Sequence, residues 1–170
     1  MRTVLSTLLC AMALFAAEPP LRAPGFSLPD LKAEQHDLAD YRGKVVILEF
    51  MQTTCPHCAA FVEVLDKVQR KFGNKVGILA VVNPPDNQQA VAAYITGHKI
   101  AYPILFDCGQ VAFSYLRKVQ FDLPQVYVID ANGTIQRHFE YSALTRDIFE
   151  GNGLIPELDR LLAGAAPPKK

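Results

Sequence analysis

Two continuous apolar runs, Val45–Met51 and Val76–Val82, bracket a segment whose apolar residues recur at helical spacing. Short runs rich in branched side chains read as strands buried on both faces. Between them Phe61, Val64, Leu65, Val68 and Phe72 mark one face of a helix that starts near Pro56. Lys67, Arg70 and Lys71 suit the negative end of its dipole, and Gly73-Asn74 stops it. Strand, crossover helix and strand in one sheet make a parallel pair, nearly always right-handed. The class is therefore α/β, and 170 residues suit one domain.

The flanking segments extend this unit. Phe26-Ser27-Leu28 and His36-Asp37-Leu38 are expected to form a short N-terminal β-hairpin around Pro29-Asp30. Asp86 is expected to cap a helix over 87–96 ended by Gly97, and Ile100–Phe106 is expected as a third strand. Together they form an inserted helix-strand unit. Asp107 should cap a further helix that begins at Cys108 and runs to about Arg117. Gln125–Ile129 and Thr134–Phe139 flank Asp130-Ala131-Asn132-Gly133, a strong hairpin signal, and Leu154–Leu162 is a last amphipathic helix. The expected architecture is a central mixed β-sheet with helices on both faces over 26–163. A proline-rich linker over 18–25 precedes it and a tail over 164–170 follows.

Residues 1–17 read as an address. Arg2 precedes an uncharged stretch from Val4 to Ala17, which resembles a bacterial secretory signal. The alternatives are an uncleaved anchor or a helix packed on the domain. Secretion predicts a periplasmic or otherwise extracytoplasmic protein, with Cys55, Cys58 and Cys108 in an oxidising compartment. No apolar run reaches the roughly eighteen residues needed to span a bilayer, so no membrane span is expected after processing. Seventeen basic residues balance seventeen acidic ones, which argues against a nucleic-acid binder.

The chemistry concentrates at Cys55-Pro56-His57-Cys58. A first cysteine at a helix N-terminus meets unpaired backbone N–H groups and the positive dipole end, and both favour a thiolate. Pro56 fits the first helical turn, where its missing N–H costs nothing. The spacing brings both sulfurs within disulfide reach, so the more buried thiol can resolve a mixed disulfide formed by the first. His57 is a candidate cation beside them that tunes the potential. Half of a zinc site is the competing reading, but His36, His98 and His138 stand singly, so no metal is expected.

Several stretches together resemble the extracytoplasmic thioredoxin-like oxidoreductases of the TlpA/ResA type. They are Ala23–Leu31, Leu38–Val46, the Cys55–Cys58 motif, and Leu123–Asp130 followed by Gly133. The resemblance covers about Ala23 to Phe139 and implies a thioredoxin-like fold. It further implies that the Leu123-Pro124 peptide is cis and faces the dithiol, within a substrate groove to which Thr54 also belongs. A proline there lacks an N–H and leaves neighbouring backbone groups free to pair with an incoming strand. Three departures stand out. Thr54 occupies a position where the family usually has Trp, and the chain has no Trp at all. Pro56-His57 is similar to the dipeptide of DsbA-type oxidases. Glu49 lies where thioredoxins carry a buried, proton-shuttling Asp.

A carboxyl in an apolar strand is costly to ionise, which raises its pKa toward the range of a general base. Glu49 is thus the candidate acceptor of the Cys58 proton. The alternative is a carboxylate that reaches solvent at the strand end or pairs with Lys67. Cys108 is a candidate third redox thiol, the alternative being a small apolar residue that fills space. The function expected is thiol-disulfide exchange with protein cysteines through Cys55 and Cys58, in a monomer with no cofactor and an electron-donor or electron-acceptor protein as second partner. The competing functions are a thioredoxin-fold binding or copper-handling module and a thiol peroxidase. Peroxidases carry upstream Pro and Thr where this chain has Leu48 and Gln52.

Overall fold

A computed structural model describes residues 21–164. The expected signal, at 1–17, and nearly all of the expected tail lie outside the described residues. The elements in chain order are β1 Ser27–Pro29, β2 Gln35–Asp37, β3 Val45–Met51, α1 Pro56–Phe72, β4 Val76–Val82 and α2 Gln88–His98. After them come β5 Ile104–Phe106, α3 Gln110–Leu116, β6 Gln125–Ile129, β7 Ile135–Glu140, α4 Arg146–Glu150 and α5 Leu154–Gly164.

The five-stranded sheet runs β5-β4-β3-β6-β7, and β1 pairs with β2 in a separate antiparallel ladder. β3, β4 and β5 are parallel, while β6 and β7 are antiparallel to their neighbours. The sheet is therefore mixed, with the two uninterrupted apolar runs at its centre, where both faces are covered. Alternation along β3 sends Val45, Ile47 and Met51 to one side and Val46, Leu48 and Phe50 to the other. The first side is closed by Phe61, Leu65 and Val68 of α1, Val91 of α2, Phe149 of α4 and Leu154 of α5. Phe26, Leu38, and Ala112 and Tyr115 of α3 close the second. Each fully buried aliphatic or aromatic side chain contributes roughly 1.5–3 kcal/mol.

Local chemistry moves several boundaries. Asn87, not Asp86, caps α2, its Oδ1 accepting from the Ala90 N–H at 3.0 Å. Asp86 is already engaged by Thr53, whose N–H and Oγ1–H donate to it at 2.8 and 2.6 Å. The third strand is only Ile104–Phe106, because Pro103 has no N–H to give; its carbonyl accepts from Ala80 N–H at 3.1 Å instead. Gly109 turns at a φ of 101°, which delays α3 to Gln110 and leaves Cys108 outside the helix. The Asp107 carboxylate still accepts from the Val111 and Ala112 N–H groups. Gly133, at a φ of 78°, completes the turn before β7. Residues preceding the first strand lie against that turn, with Ile135 N–H donating to the Leu21 carbonyl and Ala23 N–H to that of Gly133.

Candidate active site

Cys55 is the N-cap of α1. Its sulfur accepts a hydrogen bond from the Cys58 N–H at 3.1 Å, and Pro56 fills the first turn where an N–H would have no partner. The two cysteines are joined as a disulfide with Cα atoms 5.2 Å apart. Cys55 is partly exposed, whereas Cys58 is fully buried. Of the two sulfurs, the Cys55 one is the more open to solvent. The loop that delivers Cys55 is braced by the pair of Thr53–Asp86 bonds, which ties the end of β3 to the β4–α2 connection.

His57 projects onto groups from the far end of the chain. Its ring stacks on Tyr141 with centroids 3.8 Å apart and planes 20° from parallel. Its Nδ1 lies 3.3 Å from Glu150 Oε1, which also accepts from the Tyr141 hydroxyl at 2.7 Å. Arg146 Nε stands 3.3 Å from the other Glu150 oxygen. The Tyr141 hydroxyl, then Arg146 and His57, hold the Glu150 carboxyl below its ordinary range. Neither Tyr141 nor Glu150 carries a sequence signal; Phe149, buried against Phe61 with centroids 5.2 Å apart, seats the short helix that brings Glu150 here.

Glu49 is 1% exposed and neither carboxylate oxygen has a hydrogen-bond partner among the described residues. It neither reaches solvent nor pairs with Lys67, which is exposed on α1. Burial pushes its pKa from 4.5 up to about 8. Flanked by Ile47 and Met51, it faces the same side of the sheet as Cys58.

The Leu123–Pro124 peptide is cis. Pro124 is buried and its carbonyl accepts from the Tyr141 N–H at 3.3 Å, while Thr54 is exposed. Cys108 is exposed, so it is not space filling. It lines a groove of about 740 Å3 together with Met51, Gln52, Phe113, Phe121 and Leu123. The structure thus places Cys108 and Leu123 on one groove beside the loop that leads to Cys55. A cluster of Asp30, Glu34 and His36 could offer ligand atoms to a cation. Its geometry is that of a turn, since Asp30 Oδ1 accepts from the Lys32 and Glu34 N–H groups.

A family model described as the AhpC/TSA family matches residues 21–138. The chain belongs to this family. The thioredoxin-like protein YneN of Bacillus subtilis is 30% identical over 117 residues, which cover 68% of this chain and 67% of YneN. The thiol-disulfide oxidoreductase ResA of Geobacillus kaustophilus is 34% identical over 130 residues, covering 74% of this chain and 71% of ResA. The same fold is found in a thioredoxin-family thiol:disulfide interchange protein from Chlorobium tepidum, with a TM-score of 0.67, 22% identity, and coverage of 86% of this chain and 99% of that one. A secreted disulfide oxidoreductase from Mycobacterium tuberculosis gives a TM-score of 0.62 at 21% identity, covering 75% and 92%. The resemblance to the ResA type and the thioredoxin-like fold are borne out. With Cys55 and Cys58 paired at the N-terminus of α1, the family member is a thiol-disulfide oxidoreductase.

Proposed function

We propose that this oxidoreductase exchanges disulfides with cysteines of other extracytoplasmic proteins, Cys55 attacking and Cys58 resolving. The observation that carries the reading is the hydrogen bond from the Cys58 N–H to the Cys55 sulfur at the head of α1. An N–H aimed at that atom, reinforced by the helix dipole, stabilises negative charge on it. In the reducing direction the Cys55 thiolate attacks a partner disulfide, and the partner's other sulfur leaves as a thiolate. Cys58 gives its proton to Glu49 and attacks the Cys55 sulfur, and the partner's second thiolate departs. Two electrons have then moved from the Cys55/Cys58 pair to the partner, and oxidation of a partner dithiol is the same sequence reversed. His57 and Pro56 tune the potential, each 30 mV being worth about 1.4 kcal/mol. Thr54, Leu123 and Pro124 form the edge against which a partner's extended segment lies, with backbone pairing supplying affinity. Cys108, open to the adjoining groove, is a third thiol that such a partner can meet. The family resemblance and residues 1–17 support a periplasmic or otherwise extracytoplasmic location.

The test is capture. A Cys58→Ala variant cannot resolve, so mixed disulfides through Cys55 should accumulate in cells and be released by reductant. Recovery of no reductant-sensitive adduct, against a Cys55→Ser control, overturns the reading. The redox state of captured partners gives the direction of electron flow.

A further inference from the structure

Glu49 has company beneath α1. The phenolic oxygens of Tyr94 and Tyr102 are also buried with no hydrogen-bond partner among the described residues. Their residues are 7% and 8% exposed, in the apolar cluster that contains Cys58. Orphaned buried polar groups are scarce in folded proteins, and three residues bearing them on one side of one sheet require an account. Register sets what lies beside the carboxyl. Glu49 lies opposite Ala80, the smallest inward residue of β4, and Ala80 lies opposite Ile104 at the start of β5. Ala80 presents only a methyl group there, and the phenols come from α2 and from the residues just before β5, on the same side of the sheet. Burial first, and then the charge of Glu49, raises both phenols, and Tyr94 further raises Tyr102.

On the outer side Tyr102 walls a surface pocket of about 320 Å3 with Glu63, Asp66 and His98. The Tyr94 ring lies 4.4 Å from that of His98. The phenols therefore stand between a carboxyl sealed from solvent and a polar pocket open to it. A carboxyl raised to about 8 is mostly neutral at pH 7, so it must release its proton to water before it can take one from Cys58 in the resolution step.

We propose that Tyr94 and Tyr102, with buried water bridging them to Glu49, form the path by which that carboxyl exchanges its proton with the pocket at His98 and Asp66. The inference rests on the reading of Glu49 as the acceptor of the Cys58 proton. The balance is simple. Cys58 loses a proton and Glu49 becomes a neutral acid; each phenol accepts a proton on its oxygen as it donates its own outward, so neither is ionised. In this path water supplies the donors and acceptors that the three groups lack among the described residues. Cys58 of α1 shares the apolar side with Glu49, Tyr94 and Tyr102, Asp86 acts on Tyr94 and Asp66 of α1 on Tyr102, while β4 and β6 present only Ala80 and Val126 at the Glu49 register.

The experiment uses the full chain with Tyr94→Phe, Tyr102→Phe and the double change, each of which keeps the ring and its packing. Reduced protein is mixed with oxidised glutathione, and formation and resolution of the mixed disulfide are followed across the Glu49 midpoint. The expected result is resolution slowed about tenfold in the double variant, less than the full loss of a general base, with its pH inflection displaced upward. Alkylation of Cys55 should be unchanged, which also reports an intact site. A double variant that matches the parent in both rate and pH profile overturns the path. Glu49→Gln separates the two claims. If it slows resolution while the tyrosine changes do not, the path alone fails; if it too leaves resolution unchanged, the assignment of Glu49 fails as well.

Discussion

Glu49 combines full burial with the absence of any hydrogen-bond partner among the described residues, and that combination has a thermodynamic signature. Its folded-state pKa, about 8, lies above the ordinary value of 4.5. A group raised in this way leaves stability intact below its unfolded pKa and removes it as pH climbs through the folded value. The unfolding free energy should therefore fall between about pH 4.5 and 8 by an amount on the order of 5 kcal/mol at most. Glu49→Gln should flatten that slope, as read from denaturant midpoints at several pH values, and should slow mixed-disulfide resolution roughly a hundredfold. A slope equal to that of the parent would place the carboxyl in solvent. Sequence reading reached Glu49 because one charge in an apolar run is conspicuous. It did not reach Tyr94 and Tyr102, since an aromatic residue in an amphipathic pattern looks like ordinary core until its hydroxyl is seen to lack a partner.

Among the elements, α1 gives the site its reactivity and α4 gives it shape. Cys55, Pro56 and the stop at Gly73 were legible because capping residues carry their signal locally, and the helix spans Pro56–Phe72 as those residues require. With the N-cap sulfur aimed at by an N–H, alkylation of reduced Cys55 should titrate well below the value of about 8.5 for a free thiol. A profile centred near that value would remove the electrostatic basis of the mechanism. α4 left no sequence signal: five residues are too few to show a period, and its place depends on Phe149 meeting Phe61 across the chain. Phe149→Ala should cost roughly 3–5 kcal/mol in denaturant unfolding. It should also shift the reduction potential, because Glu150 and Tyr141 would no longer be held on His57. Leu144→Ala, at a residue 98% exposed, is the control and should change stability by no more than about 0.5 kcal/mol.

The whole molecule gathers its chemistry at the carboxyl edge of the parallel strands. The Cys55 loop follows β3, the bracing Asp86 follows β4, and Cys108 follows β5. This is where sites form in open α/β sheets. Strand order could be argued from the crossover rule and the two apolar runs, so the architecture was readable; the Tyr141–Glu150–His57 contacts, set by packing across 93 positions, were not. The same arrangement links redox state to global stability. A thiolate held by the fold stabilises the reduced protein, so the folded couple is more oxidising than the couple in the unfolded chain, by about 30 mV for each 1.4 kcal/mol. Reduced protein should then unfold at higher denaturant concentration than oxidised protein at neutral pH. With a folded thiol held below its unfolded pKa, this advantage would be complete above the unfolded value and would shrink as acid protonates Cys55. Equilibration with glutathione supplies the potential independently, and the two measurements must agree through that conversion. An oxidised form that is the more stable at every pH would mean that the helix does not hold charge on Cys55, and the preference for thiolate attack would need another source.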